Sequence, residues 1–493
     1  MGALVCLLGV CAPARATVWY LDNAATGANT GTSWANAWSS PASVVWGGSG
    51  VRAGDTLYIS GGTSSKTYIG KLSVGASGSG PSARITVRIG QDAGHNGLAI
   101  FTGGIGANST SYVTVDGEVA GARRLRAVGG ATAESANHFV FRYLEAETAA
   151  IGIAARYGVG GVIDSCYVRD VTEEVGIGLA ARNTGVAAYD QTLITNTIIC
   201  LNRLGTGSGN GPDGIQGCRG LTVDRCTFSN VVGTVTGAQH QDYIQMQANY
   251  IKVRNSRFIG SADSCIDYDT FNGQPENHQI YNNTFILIRG SGIRYYNSGG
   301  EPFTSVNNVL IANNTIVDHT SGHQWGISFQ FFTGANPSVS NTRIQNNLFY
   351  NHTTQPIHIE ASTAATAADW NVDYNLANGG VTTLLVGGVN YTQAHPFTSA
   401  PAFAQYTAGS EGSYLRLAAG DVAAKDKGVN LAADFLTDAE SYARGQGAGW
   451  DIGAYEIGSG NAAVTVLSYE VTVGVTNGTA GTNSGGYINL IRR

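Results

Sequence analysis

Ile280-Tyr281-Asn282-Asn283-Thr284-Phe285 decides the fold, because it recurs. Ile163-Asp164-Ser165-Cys166-Tyr167-Val168, Ile194-Thr195-Asn196-Thr197-Ile198-Ile199, Val223-Asp224-Arg225-Cys226-Thr227-Phe228, Val253-Arg254-Asn255-Ser256-Arg257-Phe258, Ile311-Ala312-Asn313-Asn314-Thr315-Ile316 and Ile344-Gln345-Asn346-Asn347-Leu348-Phe349 align with it without gaps. Their last positions lie 31, 29, 30, 27, 31 and 33 residues apart. A propeller blade needs a longer period, about 40 to 45 residues, and a leucine-rich repeat needs a Leu framework that is absent.

A second series runs between these segments. It is centred on Ile151, Ile177, Ile215, Ile244, Ile266, Ile293, Ile327 and Ile357. Two positions on stand Ile153, Leu179, Gly217, Met246, Tyr268, Tyr295, Phe329 and Ile359, so both columns are expected to point inward. Between them lie Gly152, Gly178, Gln216, Gln245, Asp267, Arg294, Ser328 and His358, polar wherever not Gly, which a period of two turns outward. Each period therefore holds at least two short strands broken by Gly and Asn. The expected fold is all-β, a right-handed parallel β-helix whose coils stack about 4.8 Å apart. The fourth position of the first series then becomes an internal ladder of Cys166, Thr197, Cys226, Ser256, Asn283, Asn314 and Asn347. Cys166 and Cys226 would sit two coils, roughly 9.6 Å, apart, too far for a disulfide.

Composition agrees. The 493 residues include 68 Gly, only 13% are charged, and two Met and five Lys leave few helix formers. A net charge of −6 without any basic run excludes nucleic acid as the expected partner. Residues Ala3 to Ala12 are apolar and lead to Ala14-Arg15-Ala16, the form of a signal-peptidase site, so 1–16 reads as a signal peptide and the expected location is extracellular, periplasmic or cell-surface. No other segment approaches a membrane span. Cleavage there leaves Cys166, Cys200, Cys218, Cys226 and Cys265, an odd number requiring at least one free thiol or an intermolecular bond. Residues 17–80 are expected to cap the helix, 81–380 to form its repeats, 381–457 to cap the other end, and 458–493 to be a Gly/Asn/Thr-rich tail. A monomer is expected.

The Asn-Asn-Thr-Phe repeats, the opening Trp19-Tyr20-Leu21-Asp22-Asn23 with Gly54-Asp55-Thr56-Leu57-Tyr58, and the closing Asp451-Ile452-Gly453-Ala454-Tyr455-Glu456 resemble secreted bacterial right-handed β-helix proteins of the pectate-lyase-like superfamily. The resemblance covers roughly 17–457. It implies a polysaccharide lyase, a glycoside hydrolase, a tailspike or an inactive surface protein, and gives only a prior for function.

The outward grid becomes polar in its middle coils, with Asp213 and Gln216; Asp242, Gln245 and Gln247; Asp267 and Asp269; and Arg294 and Tyr296. Hydroxyls of a sugar want such donors and acceptors, and its ring wants an aromatic face. Each residue alone fits a turn or an outer amide stack better; the contiguous patch favours a site. Its expected ligand is a polysaccharide, with Gln216, Gln245, Gln247, Tyr243 and Tyr296 binding it.

Two reactions remain open at this point. Hydrolysis needs two carboxyls flanking the bond, which stacked Asp213 and Asp242, or Asp242 and Asp267, can supply. Pro212-Asp213-Gly214-Ile215, Gln241-Asp242-Tyr243-Ile244 and Gly292-Ile293-Arg294-Tyr295-Tyr296 resemble the polygalacturonase pattern, which implies Asp213 and Asp242 as catalytic carboxylates and Arg294 on a substrate carboxylate. Gln241 replaces the first Asp of that family's pair, its Gly-His-Gly is missing, and Tyr296 replaces its Lys. Elimination needs a base and a neutralising cation, for which Arg294, His240, Tyr243 and Lys252 are candidates. No cofactor is required, although Asp263, Asp267 and Asp269 could hold Ca²⁺ through hard oxygen ligands. The alternative to an enzyme is a non-catalytic glycan-binding or cell-surface structural β-helix.

Overall fold

Each repeat of the first series folds as two strands meeting at a corner that is Asn except at Ser165 and Arg225, as Gln279–Tyr281 and Thr284–Ile286 do around Asn282-Asn283. Asn255, Asn282, Asn313 and Asn346 take the left-handed conformation, with φ of 53°, 58°, 51° and 56°. Asn adopts that region more readily than most residues because its short amide bonds locally. The turn aims the next side chain into the core, where it would be an orphaned polar group without a partner. The ladder supplies one. Asn283 Nδ2 donates to Asn314 Oδ1 at 3.0 Å, Asn314 Nδ2 to Asn347 Oδ1 at 3.0 Å, and Asn347 Nδ2 to Asn375 Oδ1 at 2.9 Å. Gln393 Oε1 closes the column by accepting from Asn375 Nδ2 at 3.0 Å. Cys166 and Cys226 occupy the same column as buried free thiols, and burial pushes both up to about 12.

The computed structural model describes residues 16–458 except 173, 180–191, 202–212, 230–240, 261–262, 270–273, 289, 297–302, 320–324 and 332–335, together with 471–473 and 488–490. The expected signal peptide and most of the tail thus lie outside the described residues. Three long sheets of 13, 12 and 13 strands run the length of the molecule. The first extends from Val18–Leu21 to Asn371–Asp373, the second from Ser65–Tyr68 to Leu376–Gly379, and the third from Leu72–Ser73 to Leu384–Val386 plus the antiparallel Val389–Tyr391. Pairing within them is parallel and follows the aligned repeats; Ile280, for example, pairs with Val253 on one side and Ile311 on the other. The fold is the expected all-β parallel β-helix. Side chains of like shape stack inside it, and Phe228, Phe258 and Phe285 have centroids 4.8 and 4.7 Å apart, one strand spacing each.

Three details differ from expectation. Val18–Leu21 pairs in parallel with Thr56–Ile59, and Thr56–Ile59 with Ile85–Ile89, so the helix begins inside the segment 17–80. At the first coil of the second series, Ile153 rather than Ile151 pairs with Ile177.

The third concerns 381–457, whose larger part folds back along the side of the helix instead of closing its end. Asn282 Nδ2 donates to Thr437 O at 2.8 Å, Asn346 Nδ2 to Val429 O at 2.8 Å, and Asn313 Nδ2 to Asp451 O at 2.9 Å. The outer amides of the corners are thereby satisfied by a strap. Tyr281, Leu310 and Ala312 are buried against its Leu431, Phe435 and Trp450. Gly453 lies at φ +100° with a virtual Cβ 2.7 Å from Thr315 Oγ1, so the closing motif needs glycine at its closest approach.

Candidate functional site

The third sheet carries the polar patch. Along it, Gln216 pairs with Gln245, Gln245 with Asp267, Asp267 with Arg294, Arg294 with Ser328, and Ser328 with His358. Residues remote in sequence thus form one continuous column. A second column precedes it by three residues, running through Asp242, Ser264 and Ser291 in register. Gln216 Nε2 donates to Asp213 Oδ2 at 3.2 Å, so residues three apart share a face where strict alternation would separate them.

The cause is a local break in which two successive side chains turn inward. Tyr243 and Ile244 both belong to the core, as do Cys265 and Ile266. Tyr243, expected to bind substrate, is 2% exposed, packs against Phe228 and Phe258, and donates from its hydroxyl to Ile259 O at 2.6 Å. It is removed from both the binding and the base candidates. Lys252 pairs with Thr222 and Gln279 on the first sheet, away from this face. His240 lies outside the described residues.

The centre of the patch is buried. Asp213, Asp242 and Asp267 are each 0% exposed, and Arg294 is 5% exposed. Arg294 Nε donates to Asp267 Oδ1 at 2.6 Å and Nη2 to Asp263 Oδ2 at 3.0 Å, with its guanidinium carbon 5.0 Å from the centre of the Tyr296 ring. Desolvation opposes the charge on Arg294, but the carboxylates around it prevail and hold its pKa above the ordinary value. Asp242 goes the other way. Burial first, then the negative charges of Asp267 and Asp213, raise its carboxyl well above the usual range, and Arg294 only partly offsets them. Its backbone N–H donates to Asp213 Oδ1 at 3.0 Å.

The Ca²⁺ cage expected of Asp263, Asp267 and Asp269 would share its carboxylates with this ion pair. Both oxygens just named are bonded to one guanidinium, the Asp269 side chain lies outside the described residues, and among the described residues no three His, Cys, Asp or Glu converge on a metal position. The remaining binding candidates are near the centre. Gln245 is 2% exposed and accepts from Gln247 Nε2 at 2.7 Å; Gln247 and Tyr296 are half-buried.

Sequence reading passed over Ser264, Ser291 and Trp325. Each stands two residues before an inward Ile, as Asp242 does before Ile244, and that spacing was the available signal. It also left His358 as a plain outward residue. The imidazole is half-buried and stacks on Trp325 at 4.0 Å.

No protein-family model and no curated protein sequence matches the chain. Solved structures similar to it include pectate lyase Pel9A, at 14% identity and a TM-score of 0.49 over 90% of this chain and 97% of that one. A mannuronic acid specific polysaccharide family 6 lyase from human gut microbiota gives 15% and 0.43 over 66% and 76% of the two chains, and the alginate lyase AlyGC 12% and 0.37 over 76% and 56%. These likenesses concern fold alone. The parallel pairing of the three sheets independently makes this chain a parallel β-helix.

Proposed function

We propose that the chain is a secreted or cell-surface enzyme that hydrolyses an acidic polysaccharide on the outer face of the third sheet. The observation that carries the reading is the carboxyl pair Asp213 and Asp242 on neighbouring strands, joined through the Asp242 backbone N–H, with the Asp242 carboxyl pushed upward by burial and by the charges beside it. Two carboxyls with unequal environments divide the work of glycoside cleavage, one giving a proton and the other acting as base or nucleophile. Asp242 is the proton donor to the leaving oxygen and Asp213 the partner that acts as base or nucleophile. Arg294, beside Tyr296, supplies the positive charge that attracts an acidic sugar unit, and Gln216 and Gln245 supply amides for hydroxyls. Asp213 and Asp242 are buried in the free protein, so substrate entry requires the groups over them to part. No step passes through a metal.

The test is incubation with a panel of acidic and neutral polysaccharides, reading both new reducing ends and the ultraviolet absorbance of an unsaturated product. Reducing ends without absorbance support hydrolysis. Both together replace it by elimination, and neither across the panel removes cleavage in favour of a binding role.

A further inference from the structure

The outer face does not stop at Arg294. One strand on, Ser328 takes its place in the column, and one strand further His358 does. The span is about 9.6 Å at one strand spacing each, the reach of roughly two sugar units. In the neighbouring column the backbone of Trp325 follows Ser291, its carbonyl accepting from Gly292 N–H at 3.1 Å. Trp325, two residues before the strand Ile327–Gln330, and His358 therefore come from adjacent coils, and their rings lie 4.0 Å apart at an interplanar angle of 16°. Both are half-buried, unlike the fully buried carboxyls at the centre.

The polar edges of this stack are defined. His358 Nδ1 lies 2.9 Å from Gln355 Oε1, which can only accept, so Nδ1 carries a proton and Nε2 remains an acceptor when the ring is neutral. Gln330 is half-buried, pairs in register with Tyr296, and has its amide 3.3 Å from Ser328 Oγ. An aromatic wall with a few convergent donors and acceptors suits a pyranose, which has an apolar face and a hydroxylated rim.

We infer that Trp325 and His358 form a subsite for a sugar ring of the polysaccharide, two strands beyond Arg294. The inference rests on the proposed cleavage site only for the identity of the polymer. It makes the enzyme one that grips a chain along the helix axis, with Trp325 binding a ring that does not react. Binding energy from such a remote unit appears in KM for long chains and is absent for short ones.

The experiment uses hexamers and dimers of galacturonic acid and of mannuronic acid with the full chain, Trp325→Ala, Trp325→Phe and His358→Ala, reading cleavage kinetics and, separately, binding by calorimetry. The expected result is a KM for the hexamer raised about tenfold in Trp325→Ala and His358→Ala, kcat within about twofold, unchanged dimer kinetics, and recovery to within about threefold in Trp325→Phe. Trp325→Ala with an unchanged hexamer KM overturns the subsite while leaving cleavage intact. A wild-type chain that binds a hexamer without cutting it overturns the cleavage reading alone, and the subsite then stands if Trp325→Ala weakens that binding about tenfold and falls if it does not. No binding and no cleavage of either hexamer overturns both.

Discussion

The Asp242 backbone N–H donates to Asp213 Oδ1 at 3.0 Å, so the two residues are joined through the main chain of one and the carboxylate of the other. The carboxyl of Asp242 is thereby free to differ in charge from that of Asp213. Burial and the adjacent negative charges keep it protonated above its unfolded value of 3.8. Asp242→Asn preserves shape but gives up no proton, and kcat is expected to fall roughly 10²- to 10⁴-fold. Wild-type turnover in this variant would take Asp242 out of the mechanism.

The same residue makes a pH prediction of definite sign. A carboxyl whose folded pKa is raised contributes stability below the unfolded value, and that contribution is lost as pH rises. Asp242→Asn should therefore melt at or above the wild-type temperature at pH 7, with the difference shrinking towards pH 4. A clearly lower melting temperature at pH 7 contradicts the buried neutral carboxyl.

Arg294 is bonded to Asp267, which is 0% exposed, and to Asp263. Removing the cation strands a buried charge, so Arg294→Leu is expected to cost about 3 to 5 kcal/mol in urea unfolding. Arg294→Lys keeps the charge but loses the fork that reaches two carboxylates, and should fall between. A loss under about 1 kcal/mol in Arg294→Leu would show that the pair does not hold the strands together.

The ladder gives a fourth test. Asn314 Oδ1 accepts from both the backbone N–H and Nδ2 of Asn283, at 3.1 and 3.0 Å. Asn314→Ala leaves the Asn283 backbone N–H buried without that acceptor and Asn283 Nδ2 with only its bond to Val253 O at 3.0 Å, and should cost on the order of 2 to 4 kcal/mol. Asn314→Ser should cost less, because Ser256 shows that a hydroxyl can accept there, taking the Cys226 N–H at 3.1 Å. Equal losses from the two variants would argue against the hydrogen-bonded column.

Acid should unfold the protein through its interior histidines. Burial lowers His278 and His319 to about 4 and His352 to about 3, the last also through its neighbour His319. His352 Nε2 lies 2.9 Å from His319 Nδ1. A histidine with a depressed folded pKa contributes stability that is complete above about 6.5 and is lost as pH falls towards the folded value. The expected loss between pH 6.5 and 4 is on the order of a few kcal/mol for the set. His278→Phe should flatten that part of the pH–stability curve; an unchanged slope would show that this imidazole does not contribute.

The sequence by itself determined the period, the inward columns, the Asn ladder and the order of Gln216, Gln245, Asp267 and Arg294 on one face, because stacking one strand spacing apart converts a repeat in sequence directly into neighbours in space. Tertiary structure decided what repetition does not encode. Two successive inward side chains at Tyr243 and Ile244 break the alternation, so parity placed Tyr243 on the wrong side. Arg294 takes Asp263 and Asp267 as its counter-ions, which spacing alone reads equally well as metal ligands. The segment after 393 runs back along the helix because the outer amides of Asn282, Asn313 and Asn346 need partners, and those partners come from more than 80 residues away, beyond the reach of any local pattern.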